Sequence, residues 1–183
     1  MKPSIAIAVS VLLLIIVAAL SSARPQTPSG REVVSPSAFV SREPVARGDS
    51  FQIAVIAKIR PGFHINARKP SADYLIPTDL HADLPAGFKA TGDVSYPKGK
   101  LRTFAFTKTP LNVYQDKVIL RLPLTAQPGA SLGAQHIPLK LRYQACSNEI
   151  CLPPVTLDID VPVTVAATPA DSRPAHPELF PAH

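Results

Sequence analysis

An alternation of apolar and polar side chains with a period of two residues runs through most of this chain and restricts it to a β-rich fold. The clearest segments are residues 50–59, 117–124, 137–143 and 155–165. Such alternation is typical of strands with one buried face. Turn signals such as "RPG" at 60 and "QPGA" at 127 separate the segments. The 21 prolines leave no amphipathic helical stretch longer than two turns. We therefore predict an all-β protein.

The N-terminal residues differ from this strand-rich centre. Lys2 precedes an uncharged apolar run from Ile5 to Leu20, which is shorter than the roughly 20 residues of a membrane-spanning helix. Small residues at Ser21 and Ala23 fit a signal-peptidase site. Residues 1–23 are therefore predicted to be a signal peptide, cleaved near Ala23, and the protein to be periplasmic or secreted. An uncleaved N-terminal membrane anchor is the alternative.

Two further segments are predicted to lie outside the domain. Residues 24–37 and 168–183 are rich in proline and charge, so we expect a disordered linker and a disordered tail. Residues 38–167 are expected to form one domain. Short antiparallel strands and this length fit an immunoglobulin-like β-sandwich.

The charge pattern and the motifs exclude several classes of function. The net charge is +6, but the basic residues are scattered, without the basic runs or aromatic interleaving of nucleic-acid surfaces. No Ser-His-Asp order, paired-carboxylate site or glycine-rich phosphate loop is present in the sequence. We expect no nucleic-acid partner and no small-molecule cofactor.

The two cysteines, Cys146 and Cys151, lie in the segment "YQACSNEICLPP". They are too close in sequence to be the distant pair that bridges two sheets in antibody domains. A zinc centre needs four ligands, and the histidines of the chain are dispersed. Those histidines are His64, His81, His136, His176 and His183. We therefore predict no metal site.

A structural staple and a redox dithiol remain as interpretations of the pair. A disulfide ring of six residues stabilises by about 2 kcal/mol, against nearly 5 for a ring of about 100, so the staple is weak. Cys146 follows Arg142 and Gln144 on the polar face of a strand, which predicts that Cys146 points away from the core. The proline pair after Cys151 ends sheet pairing and leaves this end of the hairpin open to a partner thiolate.

The segment resembles the cysteine segment of the N-terminal periplasmic domain of the DsbD thiol:disulfide interchange family, where Tyr-Gln-x-Cys is followed by Cys-x-Pro-Pro. Three upstream segments are similar to that family in the same order. They are "PGFHINARKP", "YLIPTDLHADLPAGF" and "NVYQDKVILRLPL". Together the similar segments cover about Phe51 to Val165.

The resemblance implies an immunoglobulin-like domain in which Cys146 and Cys151 cycle between dithiol and disulfide. It places His64 and Asn66 beside the pair and Tyr143 at the adjoining strand end, where we expect it to pack toward the core. The alternative for His64 is an ordinary surface or half-buried histidine with satisfied hydrogen bonds.

In the family a cap loop carries an aromatic residue that shields the disulfide, and "LRTFAFTKTP" is the matching segment. Phe106 is the expected shield and Phe104 the alternative, while ordinary packing is the other interpretation of both rings. The segment is basic and lacks the family's acidic residues, so proton handling by such acids is not expected.

The resemblance also implies partners. They are a membrane thiol reductase as electron donor and periplasmic thioredoxin-like or disulfide-isomerase proteins as acceptors, which makes the chain one component of a protein-disulfide reductase system. The alternative function is a secreted immunoglobulin-like binding or assembly module with an inert disulfide. The chain has neither the family's membrane portion nor its thioredoxin-like domain, so we expect separate proteins to supply both.

Overall fold

Strands make up nearly half of the part of the chain that the computed structural model describes, residues 27–181. The strands there are Val34–Val40 (β1), Val45–Ala46 (β2), Ser50–Ile59 (β3), His64–Asn66 (β4), Asp79–Ala82 (β5), Phe88–Ala90 (β6), Lys100–Arg102 (β7), Leu111–Tyr114 (β8), Lys117–Ala126 (β9), Gly133–Tyr143 (β10), Ala145–Cys146 (β11) and Val155–Ala166 (β12). Two short 3-10 helices span Gly30–Glu32 and Pro169–Asp171. The predicted all-β class is confirmed.

Two four-stranded sheets form a β-sandwich. Their strand orders are β1-β3-β9-β6 and β2-β12-β10-β5. The pairs are antiparallel except for the short β12–β2 pair, which is parallel. The four segments with the clearest alternation became β3, β9, β10 and β12, and their apolar residues form one buried cluster. Each fully buried Leu or Ile contributes about 1.5–3 kcal/mol, so this cluster is the main source of stability.

A third sheet, with the order β11-β4-β8-β7, lies where β3 and β10 end. β4 follows β3 after a Pro-Gly turn, and β11 follows β10 after the single residue Gln144. Both cysteines and all the residues expected beside them lie in or next to this third sheet.

The N-terminal boundary of the domain differs from the expected one. Residues 24–37 were expected to be a disordered linker, yet β1 begins at Val34 and pairs with β3 from Val34↔Ile59 to Val40↔Ile53. Val33 and Val34 are buried in the core. The apolar run at Val33 and Val34 is too short to show a period of two residues. For this reason β1 was not recognised from the composition of the segment.

The C-terminal segment also differs from the expected disordered tail of residues 168–183. Pro174 forms a β-bridge with Arg42, Leu179 is buried, and the Arg121 guanidinium donates a 2.7 Å hydrogen bond to the Leu179 carbonyl. These residues are held mainly through backbone groups, which composition does not reveal. The predicted signal peptide lies outside the described residues. No helix within residues 27–181 is long and apolar enough to cross a membrane.

Candidate redox site

Cys146 and Cys151 form a disulfide across a tight hairpin, with Cα atoms 3.9 Å apart. The Ser147 amide donates to the Ile150 carbonyl at 2.8 Å, and the Leu152 amide donates to the carbonyl of the residue before Cys146, also at 2.8 Å. The cysteines therefore occupy the position between these two hydrogen bonds, where facing side chains come closest.

The turn that closes the hairpin is held by one hydroxyl. Ser147 Oγ accepts hydrogen bonds from the amides of Glu149 and Ile150, each at 3.1 Å. Side-chain bonds of this kind stabilise a turn locally. The six-residue ring is thus ordered by its own backbone and by Ser147 as well as by the disulfide.

The two cysteines differ sharply in exposure. Cys146 is completely buried, whereas Cys151 is exposed. The prediction that Cys146 points away from the core was wrong. It assumed that the alternation of β10 continues through Gln144, but β10 ends at Tyr143 and β11 pairs with β4 in the third sheet. The alternation restarts there, and Cys151 is the residue of the pair that an incoming thiolate can approach.

His64 faces Cys146 as its Cα partner in the β11–β4 pair. Its side chain is only 1% exposed, and burial lowers the His64 pKa to about 4. The ring is therefore neutral at pH 7. Within residues 27–181, His64 Nε2 makes no hydrogen bond. The residue expected beside the cysteines is present there as an uncharged aromatic ring.

Two phenylalanines of the loop between β7 and β8 lie against this ring. Phe104 stacks on His64 with ring centroids 3.8 Å apart and planes 12° apart. Phe106 is nearly parallel to both rings, with its centroid 5.7 Å from that of Phe104 and 6.4 Å from that of His64. Phe104 is half-buried, and Phe106 is 39% exposed. The structure therefore brings both candidate shield residues next to His64, and Phe104 makes the closer contact with its ring.

The loop between β7 and β8 that carries Phe104 and Phe106, the aromatic loop, is also joined to the disulfide hairpin. The Ala105 amide donates a 3.3 Å hydrogen bond to Oδ1 of Asn148, which lies inside the six-residue ring. Sequence reasoning did not identify Asn148 as a site residue. The available signal was an asparagine at the tip of a predicted hairpin.

A pair of amide side chains, the buried Asn66 and the half-buried Gln144, also supports the hairpin. Asn66 Nδ2 donates to the Ile76 carbonyl at 3.0 Å and to Gln144 Oε1 at 3.4 Å. Gln144 Nε2 donates in turn to the Leu152 carbonyl at 3.3 Å. Asn66 is thus connected to the hairpin through Gln144. In the sequence, Gln144 belongs to the motif and to the strand alternation, and neither pattern indicates that it connects Asn66 to the hairpin.

The residues of the segment "YQACSNEICLPP" therefore lie together in one site with His64, Asn66 and the aromatic loop. The family model described as "Thiol:disulfide interchange protein DsbD, N-terminal" matches residues 32–162. The chain belongs to this DsbD N-terminal family. Its fold is accordingly an immunoglobulin-like β-sandwich. The family is one of thiol–disulfide exchange modules, and this chain carries a disulfide between Cys146 and Cys151.

One solved structure similar to this chain is the N-terminal periplasmic domain of ScsB from Proteus mirabilis. It is 14% identical, with a TM-score of 0.49, and the match covers 80% of this chain and 52% of the ScsB domain. The chain thus spans about half the length of that structure. No curated protein sequence matches the chain.

Tyr143 supports the DsbD-type hairpin from the core. It is fully buried, and its hydroxyl donates a 2.8 Å hydrogen bond to the Gly30 carbonyl. Burial raises the Tyr143 pKa to about 12, so the hydroxyl remains protonated. The expectation that Tyr143 packs toward the core is confirmed. The tyrosine anchors the N-terminal 3-10 helix to the end of β10.

Metal ligands are not grouped around the site. Within the described range, 27–181, no three His, Cys, Asp or Glu side chains are placed to hold a metal ion.

Proposed function

We propose that this chain is a periplasmic module that relays electrons from a membrane thiol reductase to thioredoxin-like or disulfide-isomerase proteins through Cys146 and Cys151. The observation that carries the proposal is the asymmetry of the disulfide: Cys151 is exposed and Cys146 is buried. An exchange site needs one sulfur that a partner thiolate can reach, which Cys151 provides, whereas a structural staple has no such need.

Reduction of the module begins when a donor thiolate attacks Sγ of Cys151. The Cys146–Cys151 bond breaks, a mixed disulfide forms between the donor and Cys151, and Cys146 leaves as a thiolate that takes up a proton. The donor's second thiolate then attacks the donor sulfur of the mixed disulfide and releases Cys151. Two electrons pass to the module and the donor becomes oxidised.

Delivery follows the reverse course. The Cys151 thiolate attacks an acceptor disulfide and forms a mixed disulfide. Cys146 then attacks Sγ of Cys151, restores the intramolecular disulfide and releases the acceptor as a thiolate. Because Cys146 lies directly opposite Cys151 in the hairpin, this resolving step needs little rearrangement of the backbone.

The neighbouring side chains have supporting roles in this proposal. Phe104 and Phe106 limit access to the disulfide from the β7–β8 loop, and the neutral ring of His64 is the surface on which Phe104 stacks. Asn66, through Gln144, holds the hairpin in place. Cys151 itself is exposed, so a partner thiolate reaches its Sγ directly, and movement of the aromatic loop widens that approach.

Single cysteine variants test the proposal, with a purified thioredoxin-fold protein that keeps only its attacking cysteine as the probe. That cysteine is activated as a mixed disulfide with thionitrobenzoate. We expect Cys146→Ala, which leaves the exposed thiol, to form the protein–protein disulfide at least tenfold faster than Cys151→Ala. Non-reducing electrophoresis and release of thionitrobenzoate measure the product.

A reduction potential provides the second measurement. A value near the thioredoxin range of about −270 mV fits exchange, and one well below about −300 mV marks a structural bridge. If neither variant is trapped and the potential is that of a structural bridge, the chain is instead a binding or assembly module with an inert disulfide.

A further inference from the structure

A groove of about 750 Å³ lies beside the aromatic loop. Its lining comes from three segments of the third-sheet region, within residues 67–71, 96–101 and 112–114. The first segment follows β4 directly, and the third belongs to β8, the strand next to β4. The exchange mechanism described above does not use this groove.

The walls of the groove are held together by side-chain hydrogen bonds. The Tyr114 hydroxyl donates to the Pro97 carbonyl at 2.9 Å and accepts from the Arg68 amide at 3.3 Å. Asn112 Nδ2 donates to the Lys69 carbonyl at 2.8 Å. These bonds link all three segments. The groove is therefore formed before any partner binds, which lowers the entropic cost of binding.

The groove is positively charged. Arg68, Lys69 and Lys98 line it, and no carboxylate does. Arg68 is already engaged, because it pairs with Asp79 at 3.0 Å and lies 5.2 Å from the Tyr96 ring centroid. Lys69 and Lys98 are exposed and form no ion pair within residues 27–181. Two ammonium groups are thus free to bind carboxylates.

The groove is continuous with the redox site. Leu101, 66% exposed, lines the groove three residues before Phe104. It belongs to β7, the outer strand of the third sheet, whose other residues, Lys100 and Arg102, are also exposed and basic. At about 4.8 Å between neighbouring strands, β7 and β8 lie roughly 15–20 Å across the sheet from Cys151. A standard interface of about 800 Å² on each partner covers both.

We propose that this groove binds an acidic segment of the protein that exchanges disulfides at Cys151. The inference rests on the proposed function and adds the surface that aligns the partner. Carboxylates of the segment pair with Lys69 and Lys98, and an apolar side chain next to them packs on Leu101. Contacts on this side of the aromatic loop place the partner where it can displace Phe104.

The test uses two synthetic peptides of equal length, each with one cysteine, one containing four glutamates and the other four glutamines. The rate at which each forms a mixed disulfide with the oxidised protein is divided by its rate with an uncharged small disulfide, which corrects for thiol reactivity. We expect the acidic peptide to react about tenfold faster at low salt and the two rates to converge at high salt.

Charge-reversal variants locate the effect. Lys69→Glu and Lys98→Glu should each slow the acidic peptide about fivefold. They should leave the reaction with 2-mercaptoethanol unchanged, because that reagent carries no charge besides its reacting thiolate. Lys89→Glu makes the same charge change on β6, in the opposite sheet, and should not slow it. Equal rates for the two peptides, or equal slowing by Lys89→Glu, would refute a binding groove.

Failure of the proposed function gives a different result. If no thiol, including 2-mercaptoethanol, opens the disulfide, exchange at Cys151 is wrong. Binding of a serine-containing acidic peptide, followed by fluorescence anisotropy, then tests the groove alone. Binding that weakens in the Lys69 and Lys98 variants supports the groove, and binding that is unchanged refutes it.

Discussion

We expect acid to destabilise the fold through His64, the buried ring opposite Cys146. The His64 pKa is 6.5 in a solvated chain and about 4 in the folded protein, because burial disfavours the charged ring. Between these two pH values the unfolded chain binds a proton that the folded chain does not. The free energy of unfolding therefore falls as the pH drops from 6.5 toward 4, and the effect is absent above 6.5.

The two pKa values set the size of this effect. Lowering the pH from 7.5 to 5 should remove about 2 kcal/mol through His64 alone. For a domain of this size the melting temperature should then drop by about 4–8 °C. Carboxylates with lowered pKa values, such as that of Asp83, contribute mainly at lower pH, which makes the interval from 7.5 to 5 the informative one.

His64→Phe isolates the contribution. The substitution keeps an aromatic ring against Phe104 and sacrifices no Nε2 hydrogen bond to residues 27–181. Thermal unfolding followed by circular dichroism at pH 7.5 and pH 5 should show a smaller drop for the variant than for the wild type. His136→Gln, at an exposed position of β10, is the control for the loss of a histidine. Identical pH dependence in the wild type and in His64→Phe would refute the burial argument.

Three further substitutions test the surroundings of the site. Tyr143→Phe removes the hydroxyl that donates to the Gly30 carbonyl, which keeps the 3.3 Å bond from the Val33 amide. The free energy of unfolding should fall by about 1–2 kcal/mol in urea titrations, and no change would show that the bond is replaceable. Gly99→Ala places a Cβ 2.2 Å from Asn112 Oδ1. We therefore expect the free energy of unfolding to fall by about 1–3 kcal/mol in the same titrations. An unchanged free energy would mean that the wall of the groove moves easily to make room. Asn148→Ala removes the hydrogen bond from the Ala105 amide. We then expect 2-mercaptoethanol to open the disulfide several-fold faster, while the free energy of unfolding falls by no more than about 1 kcal/mol. An unchanged rate would show that Asn148 does not hold the aromatic loop closed.

Much of the sandwich could be predicted from local patterns. The long strands β3, β9, β10 and β12 are recognisable from their alternation, because one face of each is buried along most of its length. β1 was not predicted, since its outer residues include serines and a proline that resemble a linker. The third sheet consists of strands of two to four residues, too short for any period to be recognised.

The sequence by itself determined the all-β class, the family motif and the presence of a small cysteine ring, because alternation, turn residues and cysteine spacing are local properties of the chain. Only the tertiary structure decided that Cys146 is buried and Cys151 exposed. That outcome depends on where β10 leaves its sheet and on the pairing of β11 with β4, and a strand pattern carries no information about its partner. The stacking of Phe104 on His64 likewise joins segments about forty residues apart, and only the packed fold brings them together.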